Sequence, residues 1–151
     1  MTRKALALVL PALLLVVALM AGTTMAMQVT KIKPDTPGVT IIKEVTTLKL
    51  KVIPPTHRID PTLPPYTGVL IGPFTLSSGQ EIGVYVVWSP SYATLLIGVL
   101  NAQTGTGYGV YATGGSAAYI FNPGPGSWYV IVFNESPYTV SATIYIFIIS
   151  Q

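Results

Sequence analysis

From Tyr66 onward the chain alternates short apolar runs with turn clusters. The runs are rich in Val, Ile, Tyr, Phe and Thr: Val69–Leu76, Glu81–Trp88, Thr94–Leu100, Gly107–Ala112, Ala117–Phe121, Ser127–Phe133 and Thr139–Ile149. Gly, Pro, Asn and Ser punctuate them, as in Ser77-Ser78-Gly79-Gln80, Asn122-Pro123-Gly124-Pro125-Gly126 and Asn134-Glu135-Ser136-Pro137. Strands repeating at roughly 8–12 residues predict an antiparallel sandwich or barrel. An eighth strand is predicted upstream, where Leu48, Leu50 and Val52 alternate with Lys49 and Lys51. The lysines mark an edge strand, because a cation there discourages pairing with another chain. No helical period follows residue 30. The expected fold is all-β, a jelly-roll or Ig-like antiparallel β-sandwich of seven or eight strands, preceded by one N-terminal hydrophobic helix.

That helix is predicted by a different pattern. Arg3 and Lys4 precede Ala5 to Ala21, seventeen residues with no polar side chain. No polar face exists, so the tract is not a surface helix. The cations orient it with its N-terminus in the cytoplasm. It reads either as a secretory signal cut after Ala26 or as a retained membrane helix. The chain therefore divides into residues 1–27, a signal peptide or membrane or filament-core helix; 28–65, a spacer with one strand and a proline-rich linker; and 66–151, the sandwich. The linker, Pro54 to Pro65, holds five prolines in twelve residues and is expected to be a stiff, extended connector.

Two strands are apolar on both faces. Trp128, Val130 and Val132 lie opposite Tyr129, Ile131 and Phe133; Ile144, Ile146 and Ile148 lie opposite Tyr145, Phe147 and Ile149. An ordinary sandwich strand wets one face. Here something must cover both. One candidate is the chain's own Val39–Ile53 segment with its linker. The other is a second copy, with Ile144, Tyr145, Ile146, Phe147, Ile148 and Ile149 as the self-association strand. Charge points the same way. Only 9% of residues are charged, against about 25% in soluble domains. After Arg58 there is no lysine or arginine, and only Asp60, Glu81 and Glu135 carry charge. A surface without charge has little to keep copies apart.

The chemistry is correspondingly sparse. The cations and aromatics occupy different halves, so no basic aromatic face for nucleic acid exists. There is no cysteine and one histidine, His57, in the proline segment. That excludes a zinc site, and scattered acids do not make a calcium site. A Ser-His-Asp reading would need His57 held rigidly, which a linker does not offer. Glu81 and Glu135 read as solvated turn residues. Gly105-Thr106-Gly107-Tyr108-Gly109 precedes a strand and so reads as a hairpin, since a phosphate loop opens a helix. Asn134-Glu135-Ser136 matches the glycosylation sequon, making Asn134 a candidate glycan site. Trp88, Tyr92, Tyr108, Tyr111 and Tyr138 are candidates for a sugar-stacking platform. No catalytic residue, cofactor or metal ligand is assigned.

Two resemblances add to this reading. Arg3-Lys4-Ala5 followed by Leu6 resembles the class III signal of archaeal type IV pilins. That resemblance implies a cut after Ala5 and an apolar helix kept as filament core. Residues 69–149 resemble secreted jelly-roll modules of the bacterial pre-peptidase C-terminal type, through Phe74-Thr75-Leu76-Ser77-Ser78-Gly79, Leu96-Ile97-Gly98, Gly124-Pro125-Gly126-Ser127-Trp128-Tyr129-Val130 and Asn134. That resemblance implies an accessory, binding or packing domain.

The expected protein is exported, non-enzymatic and at the cell surface, assembling with itself as a filament, pilus or surface layer. The alternative is an anchored or secreted monomeric binding module, with carbohydrate as a ligand class. Partners are itself, a membrane through the N-terminal helix if retained, a glycan, and no nucleic acid. Mass spectrometry of the mature protein separates the leader readings. A start at Leu6 supports the pilin-like cut, a start at Met27 a removed signal, and an intact Met1 an anchor.

Overall fold

The computed structural model describes residues 29–42 and 48–150. The helix expected over residues 1–27, with its cuts after Ala5 or Ala26, lies outside them. Among the described residues no helix is long and apolar enough to cross a membrane. They form twelve strands: β1 (Val29–Ile32), β2 (Val39–Ile42), β3 (Lys49–Ile53), β4 (Arg58–Ile59), β5 (Thr62–Leu63), β6 (Thr67–Leu76), β7 (Gln80–Ser89), β8 (Leu95–Asn101), β9 (Gly107–Ala112), β10 (Ser116–Phe121), β11 (Gly126–Asn134) and β12 (Val140–Ser150).

The strands build two six-stranded sheets. Sheet A runs β1-β10-β7-β12-β4, with β5 also on β12; sheet B runs β2-β9-β8-β11-β6-β3. Side chains alternate across each strand, and the facing halves fill one core. Ile82, Val84, Val86 and Trp88 of β7 and Ile144 and Ile146 of β12 meet Ile71 of β6, Ile97 and Val99 of β8 and Val130 and Val132 of β11. The seven runs read from the sequence reappear as β6 to β12, each within two residues at either end. Most chain reversals cross between sheets. Ser77–Gly79 links β6 of sheet B to β7 of sheet A, and residues 113–115 link β9 to β10. The hairpin expected at Gly105–Gly109 lies partly on β9, and the connection itself, residues 102–106, joins the paired neighbours β8 and β9. Asn101 Oδ1 accepts from the Gln103 and Thr104 amides there, at 2.9 and 3.0 Å.

The sheets are mixed, where an antiparallel sandwich was expected. β1 lies parallel to β10 and β3 parallel to β6. Both are edge strands from the segment before residue 65. A parallel neighbour needs a long connection, which this N-terminal segment has and the tight turns after Tyr66 lack. The same segment corrects the spacer expectation. Residues 29–63 supply five short strands, not one, and the proline segment is tied down. The Ile146 amide donates to the His57 carbonyl at 2.9 Å, the Ala142 amide to Pro61 at 3.0 Å, and Leu63 is buried. The lysines do mark an edge: Lys49 and Lys51 stand exposed on β3. Val52, expected on its buried side, is exposed instead, because that side is the outer face of sheet B at its rim.

Both outer faces are apolar. On sheet A, Tyr85, Ala118, Ile120, Tyr145 and Ile149 form a cluster with Val29 and Phe147. On sheet B the cluster is Ile42, Leu70, Leu96, Leu100, Ile131 and Phe133 with Leu48, Leu50 and Tyr129. The expected self-association strand sits inside sheet A. β12 pairs with β7 on one side and with β4 and β5 on the other. Its backbone is therefore engaged along Ile144–Tyr145 on both sides. Ile144, Tyr145, Ile146 and Ile149 are buried, and Phe147 and Ile148 half-buried. The expected self-association strand Ile144–Ile149 thus has both backbone edges paired at Ile144–Tyr145, while Phe147, Ile148 and Ile149 pair with β7 alone, and most of its apolar area is buried within the chain.

Several phenols share this burial. Desolvation pushes Tyr108 up to about 12; a hydrogen bond with the Asn122 backbone opposes the shift and the Glu81 carboxylate adds to it. Burial also raises Tyr85, with Tyr145 adding to the shift, and raises Tyr119. The unfolded chain loses these protons first, near pH ~10, so deprotonation favours unfolding. Stability from these phenols is expected to be complete below that pH and lost as it climbs toward 12. Urea midpoints against pH, read beside phenolate absorbance, check this: Tyr108 is expected to ionise only with unfolding.

Candidate functional site

Strand directions bring four connections to one end of the sandwich: residues 64–66, 90–94, 113–115 and 135–139. Register places them together, since Gly68 pairs with Phe133, Asn134 with Leu95, Leu95 with Ala112 and Ser116 with Val87. These connections carry one charged residue, Glu135, and three tyrosines, Tyr66, Tyr92 and Tyr138. Tyr111 of β9 stands beside them on the outer face of sheet B. All four rings are exposed, Tyr92 most at 67%. Tyr92 and Tyr138 meet edge to face, 4.9 Å between centroids at 86°, the arrangement that aromatic quadrupoles favour.

The end is rigid because its backbone is cross-tied. The Gly114 amide donates to Ser91 at 2.9 Å, Trp88 to Gly115 at 2.8 Å, Glu135 to Thr94 at 2.9 Å and Ala93 to Pro90 at 3.2 Å. The Trp88 indole N–H, buried, donates to the Ala93 carbonyl at 3.0 Å. Tyr66 holds φ at 55°. A non-glycine residue in that left-handed region is strained by about 1–2 kcal/mol. It follows two prolines, and both the amide and hydroxyl of Thr67 donate back to Pro64. That turn displays the Tyr66 ring.

Asn134 locks the whole end, and its position corrects the glycan expectation. The side chain is 0% exposed. Its two amide hydrogens are shared among the Leu63, Pro64 and Tyr138 carbonyls, at 3.0, 3.2 and 2.6 Å. Its Oδ1 accepts from the Ser136 amide and hydroxyl at 3.1 and 2.6 Å. Donors on one side and acceptors on the other fix which atom is which. The sequon amide is thus consumed inside the fold, and no room remains for a sugar on it.

Of the expected sugar platform, Tyr92, Tyr111 and Tyr138 come together at this end. Trp88 and Tyr108 belong to the core. Tyr66 was missed, although Pro64-Pro65-Tyr66 ahead of a strand marks a turn tip. The Tyr111 phenol is raised by burial and then by the Glu135 carboxylate nearby, so it stays a hydrogen-bond donor at neutral pH.

The acids do not converge. Glu81 opens β7 at the far end from Glu135. It is not the solvated turn residue expected: it is 2% exposed, with Oε2 3.6 Å from Lys31 Nζ. Its Oε1 has no hydrogen-bond partner among the described residues. His57 directs Nδ1 to the Ile146 carbonyl at 2.8 Å. Asp60 accepts from Thr143 Oγ1 at 2.7 Å and from Arg58 at 3.5 Å. Histidine and aspartate are therefore each committed to β12 or to a neighbour, not to one another. Between the β3 edge and the β4–β5 segment runs a groove of about 590 Å³, flanked by Lys49, Lys51 and Asp60. It marks the side on which both sheets remain open.

No family model matches the chain, and no curated protein matches it. Several solved structures are similar. The pre-peptidase C-terminal domain of a collagenase from Bacillus anthracis gives a TM-score of 0.47 at 14% identity, covering 83% of this chain and 100% of that one. PliG of Aeromonas hydrophila, a periplasmic inhibitor of g-type lysozyme, gives 0.43 at 15%, covering 66% and 97%. CorA of Methylomicrobium album BG8, a surface-associated copper-binding protein, gives 0.44 at 10%, covering 67% and 98%.

Removing the Asn134 side chain takes a hydrogen-bond partner from the Leu63 and Tyr138 carbonyls and from the Ser136 amide and hydroxyl, while the Pro64 carbonyl keeps the Thr67 donors. A buried group left unpaired costs about 1–3 kcal/mol. Asn134→Ala is expected to lower unfolding free energy by roughly 2–4 kcal/mol, measured by urea denaturation.

Proposed function

We propose that this chain is an exported, non-enzymatic β-sandwich module of the cell surface that grips an uncharged glycan with its tyrosine end. The observation that carries the reading is the set of four exposed rings, Tyr66, Tyr92 and Tyr138 on connections holding a single charge and Tyr111 of β9 beside them. Tyrosine suits this task. It offers a flat apolar face for a sugar ring, a hydroxyl for its polar rim, and little side-chain entropy to lose. The cross-tied backbone holds the rings before a ligand arrives, which lowers the cost of binding. A lone carboxylate and no cation disfavour an acidic polymer. The strain at Tyr66 fits a residue kept for display.

A second reading, self-assembly into a filament, pilus or surface layer, is favoured by the charge distribution. Nothing after Arg58 is cationic, so copies meet little repulsion. In that reading the tyrosine end, not Ile144–Ile149, is the contact.

Affinity electrophoresis against a panel of neutral polysaccharides, run beside sedimentation velocity, tests both. The expected result is retardation of a monomer, weakened about tenfold by Tyr92→Ala, corresponding to roughly 1.4 kcal/mol, with unfolding unchanged. Tyr66→Gly is expected to weaken binding while leaving stability unchanged or higher, since glycine relieves the left-handed strain. A chain that ignores every polysaccharide and sediments as an oligomer broken by Tyr92→Ala overturns the glycan reading in favour of assembly.

A further inference from the structure

Along one flank of the sandwich the two sheets end in strands that face each other without pairing. β3 is the rim of sheet B and, among the described residues, pairs only with β6. β4 and β5 form the facing rim of sheet A. Between them lies the groove of about 590 Å³, with Thr67 to Val69 at its back. On the opposite flank, residues 33–38 lead straight from β1 at the rim of sheet A to β2 at the rim of sheet B. On the groove side the linking residues 54–57 close one end only.

Register decides what looks into the groove. Lys49, Lys51 and Ile53 pair with Thr67, Val69 and Ile71. Val69 and Ile71 belong to the core, so this face of β3 turns inward, between the sheets. Core parity thus carries cations at the rim. The two ion pairs among the described residues, Lys31 with Glu81 and Arg58 with Asp60, involve neither lysine. Asp60, across the groove, is already held by Thr143 and Arg58. The other face of β3 bears Val52, which is 58% exposed. A strand of five residues therefore combines an open backbone edge, two unanswered cations and a bare valine.

We propose that this edge receives an extended strand of a partner protein, one that carries carboxylates at alternate positions and apolar side chains between them. Backbone hydrogen bonds to β3 supply affinity, and alternate side chains supply the choice of partner. Directly opposed residues share a face. Carboxylates opposite Lys49 and Lys51 therefore enter the groove, and apolar side chains opposite Leu50 and Val52 cover the valine. Lysine at an edge turns most strands away. It admits one that answers the charge, and so repulsion sets the specificity. The rim of sheet A cannot serve in the same way. β4 and β5 are two residues each, split at Asp60-Pro61, and proline has no amide to give. A second copy does not fit either. β3 against β3 sets lysine against lysine, and no two of the chain's five acids stand at alternate positions. The inference goes beyond the glycan reading and does not depend on it.

The probe is a fluorescent peptide alternating glutamate with valine, followed by anisotropy as the full chain is added. The expected result is saturable binding, weakened about tenfold or more by Lys49→Glu with Lys51→Glu. The same double variant is expected to take up a peptide alternating lysine with valine instead. Both lysines are exposed, so the urea midpoint of the variant is expected to stay where it was. N-methylation at alternate amides removes the donors on one edge of the peptide and leaves its charge alone. Of the two methylated registers, one is expected to lose binding and the other to keep it. That comparison uses the unaltered chain and decides the matter even if the double variant fails to fold. No binding of the glutamate peptide, binding indifferent to the charge reversal, or equal binding of both methylated registers each overturn the proposal. An acidic polysaccharide bound as tightly as the peptide marks a merely ionic surface and overturns it too.

Discussion

A strand that is apolar on both sides is stable only where both sides are covered, and this constraint orders both sheets. Water on one such face would forgo roughly 1.5–3 kcal/mol for each large side chain. β7 and β12 hold the middle of sheet A, and β11 holds the middle of sheet B. The edges go to short strands: β1 and β4 in one sheet, β2 and β3 in the other. Those edges also carry the charge, with Lys31, Lys49, Lys51 and Arg58 all on strands at the rim. Charged, short edges resist pairing with other chains. The segregation of lysine and arginine before residue 59 is therefore the one-dimensional trace of a spatial rule. The N-terminal part of the chain supplies rims, and the C-terminal part supplies the interior.

The parts of the fold governed by local pattern could be read from sequence. Gly107–Ala112 is bounded as expected to the residue, because glycine and threonine clusters end the apolar run on both sides. The proline segment could not be read in the same way. β4 and β5 are two residues each, too short to show a period. What holds them is distant in sequence: β12 pairs with both, and Asn134, some seventy residues away, reaches the Leu63 and Pro64 carbonyls at the end of β5. Glu81 was misplaced for a similar reason. Its burial depends on Lys31, brought alongside by a parallel β1–β10 pair that no local pattern announces. The candidate site was half legible. Tyr92, Tyr111 and Tyr138 could be placed near turns, but Trp88 and Tyr108 could not be told from them until strand parity turned both rings inward.

The contrast between the faces and the end bears on what the surface is for. The sheet faces set Tyr85, Tyr145 and Tyr129 among Ile, Leu and Phe and keep those rings largely from water. The end instead leaves its tyrosines exposed, where the ring tolerates water at its rim and still offers apolar area to a partner. The tyrosines are also mounted on backbone fixed by five hydrogen bonds at Asn134, so their positions are set by the fold and not by the ligand. Rigid aromatic display and depleted charge together describe a surface suited to exchange between water and an uncharged partner.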